Sequence, residues 1–139
     1  MPEFAENYLG YLLARCSYEV SAPFHAKLKD EGVSVLAWRV LSSIRYQADT
    51  VNQLAAKALV NQSTLSKALD RIEKDGLIKR ERLPEYRSKT NVTITRSGKK
   101  LIDQLIETAN HYEDRSLDHM SAKELKELRN LLRKLIGRK

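Results

Sequence analysis

Asn61, Gln62, Ser63, Thr64, Ser66 and Lys67 crowd two amides, three hydroxyls and an ammonium into one short stretch of chain. Such groups form hydrogen bonds rather than break covalent ones: an amide can pair bidentately with adenine, a lysine can reach guanine or phosphate, and hydroxyls serve bases or backbone. A second set follows at Arg80, Arg82 and Lys89, whose cationic heads suit phosphate oxygens. Nothing comparable points to catalysis. An enzyme needs a nucleophile beside a base, or paired carboxylates, and no spacing in the chain brings such a set together. His25, His111 and His119 are scattered without metal-ligand spacing, and the five glycines form no phosphate-cradling loop. The single cysteine, Cys16, excludes an intrachain disulfide and leaves little for a zinc site. The expectation is a non-enzyme with no metal and no cofactor.

Charge points the same way. From Lys57 to Lys100 there are 12 Lys or Arg against 5 Asp or Glu, a net of +7, which is the whole chain's excess. The remaining residues balance at 13 basic and 13 acidic. A neutral body with its positive charge gathered in one segment is an electrostatic footprint for a polyanion, although a solvated lysine-rich face would have the same composition. At 139 residues and 42% hydrophobic, the chain is one domain's worth of globular protein. No apolar run approaches a membrane span, and Glu3 and Glu6 do not suit a signal peptide, so a cytoplasmic protein with no membrane partner is expected.

The elements that must position the hydrogen-bonding residues are marked by caps and stops. Apolar residues from Tyr8 to Leu28 recur at spacings of 3 and 4, predicting a long amphipathic helix from Phe4 to about Asp30, with Pro23 a kink or break. Ser34 caps a second helix carrying Leu36, Trp38, Val40, Leu41 and Ile44. Thr50 through Gln53 is a capping-box pattern before a short helix from Leu54 to Leu59. Asn61 caps the next, whose core face is Leu65, Leu69 and Ile72 and whose stop is Asp75-Gly76. The period then changes. Leu77 to Arg82 and Asn91 to Thr95 read as a two-stranded hairpin around a long loop, Leu83 to Thr90. A helix through Leu101, Leu105, Ile106 and Ala109 follows, and Ser121 with Glu124 forms a second capping box before a last helix bearing Leu125, Leu128, Leu132 and Leu135.

Two cap-marked helices, an Asp-Gly stop and two β-rich runs around a basic loop spell a winged helix-turn-helix. The expected fold is mainly α with a small β-hairpin, in which a DNA-binding lobe over residues 34–98 is flanked by dimerisation helices over 4–31 and 99–137. The last leucine stripe is too apolar for a free surface, and so small a chain has few elements left to cover its own ends. Leu9, Leu125, Leu128, Leu132 and Leu135 are therefore expected at a homodimer seam. Two-fold symmetry would set two recognition helices roughly 34 to 36 Å apart, one DNA turn, to suit a pseudo-palindromic operator.

With Trp38-Arg39-Val40-Leu41, Thr50 through Ala56, Gln62 through Ile78, and Arg87-Ser88 through Gly98 in this order, nearly the whole chain resembles the MarR family of bacterial transcription regulators. The resemblance implies a dimeric winged helix regulator, expected as a repressor, that binds double-stranded DNA and is often released by a small ligand or oxidant. Asn61, Gln62, Ser63, Thr64, Ser66 and Lys67 then match the family's major-groove contacts, and Arg87 its minor-groove wing arginine, with Arg80, Arg82, Ser88 and Lys89 beside it on the wing. The family's Asp two residues before that arginine is replaced here by Glu85. Family effectors bind between the DNA-binding lobe and the dimer helices, which makes Tyr11, Arg15, Tyr18, Trp38 and Arg39 candidates to hold a small aromatic carboxylate. The plainer expectation is that Trp38 and Tyr11 are core and the arginines form ion pairs. Cys16 is expected to be a buried small hydrophobe, because the peroxide-sensing branch carries its cysteine nearer the helix start, where this chain has Gly10. The rival to operator binding is a winged helix used for protein or RNA contact.

Overall fold

The computed structural model describes residues 3–83 and 89–137. Its elements run α1 (Phe4–Asn7), α2 (Leu9–Asp30), α3 (Val35–Ile44), β1 (Asp49–Thr50), α4 (Val51–Ala58), α5 (Gln62–Lys74), β2 (Ile78–Arg82), β3 (Thr90–Ile94), α6 (Arg96–Ser116) and α7 (Ala122–Ile136). The fold is mainly helical, with a three-stranded antiparallel sheet in the order β1-β3-β2. The chain divides into two compact units, Phe24–Ala109 and Met1–Pro23 with Asn110–Lys139.

Local chemistry explains most boundaries of the winged unit. The Ser34 hydroxyl accepts from the Ala37 amide to start α3, and Thr50 with Gln53 closes both halves of a capping box on α4. The Asn61 side chain accepts from the Thr64 amide and opens α5. These caps satisfy amides that a helix's first turn leaves without partners. Amphipathic spacing then draws one face of each helix inward: Val40, Leu41 and Ile44 from α3, Leu54 and Ala58 from α4, and Leu65, Leu69 and Ile72 from α5 form one core with Ile78, Val92, Ile102 and Leu105. Phe24 and Leu28, at the end of α2, are buried there too. Each fully buried large side chain removes about 1.5–3 kcal/mol worth of apolar surface from water.

The sheet departs from expectation in two respects. β1, only two residues long, pairs Asp49 with Val92 and Thr50 with Asn91, adding a third strand. The hairpin strands are also offset by one residue from Leu77–Arg82 and Asn91–Thr95, since Thr90 pairs with Arg82 and Ile94 with Ile78.

The second unit is built differently. The break in the first long helix falls at Tyr8, whose backbone is extended and whose ring stacks on Phe4 at 5.1 Å, while Pro23 lies inside α2 without ending it. A proline costs one helical hydrogen bond, and the turns on either side of it sustain α2. α7 opens on the Ser121–Glu124 capping box and stops at Gly137, whose φ of 91° an L side chain would resist. An ion pair of 2.6 Å between Glu113 and Arg129 ties the end of α6 to α7. Leu13, Cys16, Val20, Leu125, Leu128 and Leu132 line an apolar groove of about 400 Å³ within the unit. Cys16 is exposed, which corrects the expectation of burial. The reason is collective: among the described residues of this unit no side chain is buried, so a thiol on its apolar face has nothing to cover it.

Candidate nucleic-acid interface

The turn between α4 and α5 sets the site. α4 ends at Leu59, which adopts the left-handed conformation at φ 63°, and the Val60 amide donates back to the Ala55 carbonyl. A β-carbon makes that conformation costly, at about 1–2 kcal/mol, and the buried faces of the two flanking helices hold the turn in place. α5 leaves this turn with Leu65, Leu69 and Ile72 inward, so Gln62, Ser63, Thr64, Ser66 and Lys67 all face solvent on its first two turns. The residues singled out from the sequence thus lie together on one exposed face.

Within the set the side chains are not equivalent. The Asn61 carboxamide oxygen accepts from the Thr64 amide at 2.8 Å and from the Ser63 hydroxyl at 3.0 Å, so it is committed to capping. The Gln62 Nε2 donates to the side-chain oxygen of Asn52 on α4 at 2.6 Å. Ser66 and Lys67 lie on the exposed face one turn further on.

Behind this face, the wing is fastened to α5 at its root. Arg80 on β2 donates from Nε and Nη2 to Glu73 at 3.2 and 2.9 Å and from Nη2 to Asp70 at 2.7 Å, while its own backbone amide reaches the other Glu73 oxygen at 2.9 Å. The Arg80 side chain is only 25% exposed. These bonds hold Glu73 below its ordinary value of 4.5, first through the guanidinium and then through the backbone amide, and they raise Arg80 in turn. Arg80, expected on phosphate, thus spends much of its donor capacity on two carboxylates of α5. The second fastening is Thr95. Its hydroxyl donates to the Gly76 carbonyl at 2.7 Å and accepts from the Gly98 amide at 3.0 Å, joining the end of α5 to the start of α6. Gly98 must be glycine here, because a β-carbon would overlap the Leu77 carbonyl oxygen.

A third fastening holds β1. Asp49, the one buried charged residue among those described, takes a hydrogen bond of 2.6 Å from Lys57 at the far end of α4 and another of 3.1 Å from the Thr50 amide. Sequence reading assigned no role to Asp49, Lys57, Glu73, Asp70 or Asn52, since each partner lies on a different element. At the other end of the hairpin Arg82 and Lys89 are exposed, and the Leu83 amide donates to the Lys89 carbonyl at 3.0 Å. Arg87, Ser88 and Glu85 lie outside the described residues.

The effector candidates separate. Arg15 donates to the Tyr11 hydroxyl at 3.0 Å and pairs weakly with Glu19, and Tyr18 is 71% exposed. In the winged unit, Trp38 packs edge-on against Phe24 at 4.8 Å, and Arg39 donates to the Ala58 carbonyl at the end of α4. The plainer reading thus holds in part: Trp38 packs inside its unit and Arg15 pairs with Glu19, but Tyr11 is exposed rather than core and Arg39 bonds a backbone carbonyl rather than a carboxylate.

A family model described as the MarR family matches residues 31–87. A MarR family transcriptional regulator of Silicibacter pomeroyi shares 30% identity and a TM-score of 0.85, with 97% of each chain covered. The chain belongs to the MarR family. A further relative is the HTH-type transcriptional repressor IacR of Pseudomonas putida, 26% identical over 91% of this chain and 77% of that protein. The fold is also shared with BpsR of Bordetella bronchiseptica, at 21% identity and a TM-score of 0.84 over the full length of both, a protein whose DNA binding is regulated by 6-hydroxynicotinic acid. The chain is thus a MarR family regulator of transcription, and no described helix is long and apolar enough to cross a membrane.

Proposed function

We propose that this MarR family chain is a repressor that binds a pseudo-palindromic duplex as a homodimer and lets go when a small aromatic acid binds. The observation that carries the DNA reading is α5: its inner face is anchored by Leu65, Leu69 and Ile72, while its first turns expose a continuous hydrogen-bonding surface. A helix so presented fits the major groove, where base edges offer donors and acceptors in a distinct pattern for each pair. Gln62, Ser63, Thr64, Ser66 and Lys67 are the proposed readers, with Asn61 fixing the helix start. Arg82 and Lys89 supply phosphate contacts, joined by Arg87 and Ser88 on the wing, and Arg80 adds its Nη1 side to that surface.

Dimerisation has separate support. Leu9, Leu128, Leu132 and Leu135 remain exposed in a unit without a buried core, and Leu125 is half-buried beside them. A second copy would cover them, and the two-fold axis would present two copies of α5 to successive half-sites. Effector release rests on the fold shared with BpsR, with Tyr11, Arg15, Tyr18, Trp38 and Arg39 as the residues to test.

A gel shift with the duplex upstream of the chain's own gene tests the reading. Retardation at low salt, falling by roughly 10³ to 10⁵ in affinity between 50 and 200 mM if about 6 to 10 phosphates are neutralised, is the expected result. Weak salt dependence with no preference for palindromic duplex would instead favour a protein or RNA contact module.

A further inference from the structure

The hydrogen bond from Gln62 to Asn52 decides more than the position of a side chain. Gln62 is the first residue of α5 and Asn52 the second of α4, so the bond spans the helix-turn-helix rather than following one helix. A glutamine amide turns about a broad terminal torsion, and in isolation either its oxygen or its nitrogen can face a given direction. Donating one Nε2 hydrogen to Asn52 removes that freedom. The amide then has one further N–H to donate and Oε1 to accept. Adenine presents in the major groove an acceptor at N7 and a donor at N6, which that remaining pair matches, whereas guanine presents acceptors at both N7 and O6. Against guanine, Oε1 would meet O6 and one acceptor would go unpaired.

We propose that Asn52 is a specificity-determining residue which, by holding one Nε2 hydrogen of Gln62, orients that amide to read adenine over guanine. The inference rests on the reading above, in which α5 enters the major groove. Asn52 acts through Gln62 and is a positioning residue. It sits with Gln62, Ser66, Lys89 and Thr90 around a shallow recess of about 200 Å³, where the amide is constrained by this hydrogen bond rather than by close apolar packing. The neighbouring reader candidates differ in this respect, because Asn61 and Ser63 are held by the cap of their own helix.

The experiment uses the full chain and selection from randomised duplexes, followed by competition binding. The relevant base pair is the one whose preference Gln62→Ala erases. There the wild-type chain is expected to favour adenine over guanine by about tenfold or more. Asn52→Ala should reduce that ratio to within about threefold while leaving affinity for random duplex and its salt slope unchanged. Asn52→Asp can only accept, so Gln62 must still donate: the adenine preference should persist, on a background of weaker overall binding from the added negative charge. The assignment is overturned if Asn52→Ala keeps the full adenine preference, or if the wild-type chain favours guanine and Asn52→Asp abolishes that preference, which would mean the amides face the other way. Unchanged affinity of Asn52→Ala for random duplex shows that DNA binding stands whichever way the base preference falls. A wild-type chain that binds no duplex removes the DNA reading itself, and this assignment with it.

Discussion

The two units of the chain solve the burial problem in opposite ways. Phe24–Ala109 encloses its own core: eleven of its large side chains are fully buried, from Leu28 to Leu105. The unit of chain ends has long helices, caps and a strong leucine pattern, but among its described residues none is buried. Secondary structure is equally well specified in both. What separates them is where the apolar stripe finds cover, and stability of helices in water comes mostly from that cover. The winged unit is a body in its own right, while the terminal helices leave their apolar stripe exposed.

That contrast can be broken at its strong side first. Leu65→Ala should cost about 2–5 kcal/mol by denaturant unfolding, because α5 would lose a fully buried anchor and leave a cavity under the recognition face. A loss below about 1 kcal/mol would mean that the core is less tightly packed than the burial implies. On the weak side, Leu132→Glu should leave the winged unit folded and produce monomers by sedimentation, with operator affinity falling sharply as the second half-site contact is lost. A variant that stays dimeric would place the seam elsewhere. Gln62→Ala is expected to cost about 1–3 kcal/mol on the preferred site and relax one base position, whereas Lys89→Ala should weaken all duplexes alike. Equal loss on specific and random DNA for Gln62→Ala would remove it from the base readers.

The smallest effect concerns the brace between α5 and β2. Glu73 is held below its ordinary value, so its pairing with Arg80 stabilises the fold above that value and is lost as pH falls through the lowered one. Glu73→Gln should therefore lower the melting temperature modestly at pH 7, and the gap to the wild-type chain should close as the solution is taken below about pH 4. A gap that persists unchanged in acid would mean that packing, not the ion pair, carries the Glu73 contribution.

What could be read from the sequence was local. Ser34, Thr50 with Gln53, Asn61, and Ser121 with Glu124 act within one helical turn, so their meaning survives in a string of letters. The winged order, the inward Leu65-Leu69-Ile72 face and the exposed set from Gln62 to Lys67 follow from the same short-range rules. The missing parts are those that join distant residues. β1 is two residues paired with a strand some forty positions away, too short to show a period. Arg80 looked like a phosphate contact because its charge is legible and its partners Glu73 and Asp70, across a turn, are not. Asn52 was visible only as a member of a capping pattern, and its hold on Gln62 exists only once two helices cross. Cys16 failed for a different reason: its apolar spacing was real, but spacing says nothing of whether the chain supplies a cover.

The fastening of the wing root has a consequence for how such a regulator can change. Arg80, Thr95 and Gly98 fix the base of the hairpin to α5 and α6 through contacts that do not depend on which residues occupy its tip. Substitutions and changes of length beyond Leu83 can then accumulate without disturbing how α5 is presented. On the proposed reading, a lineage carrying this scaffold could retune its grip on the flanks of an operator and leave its central reading intact.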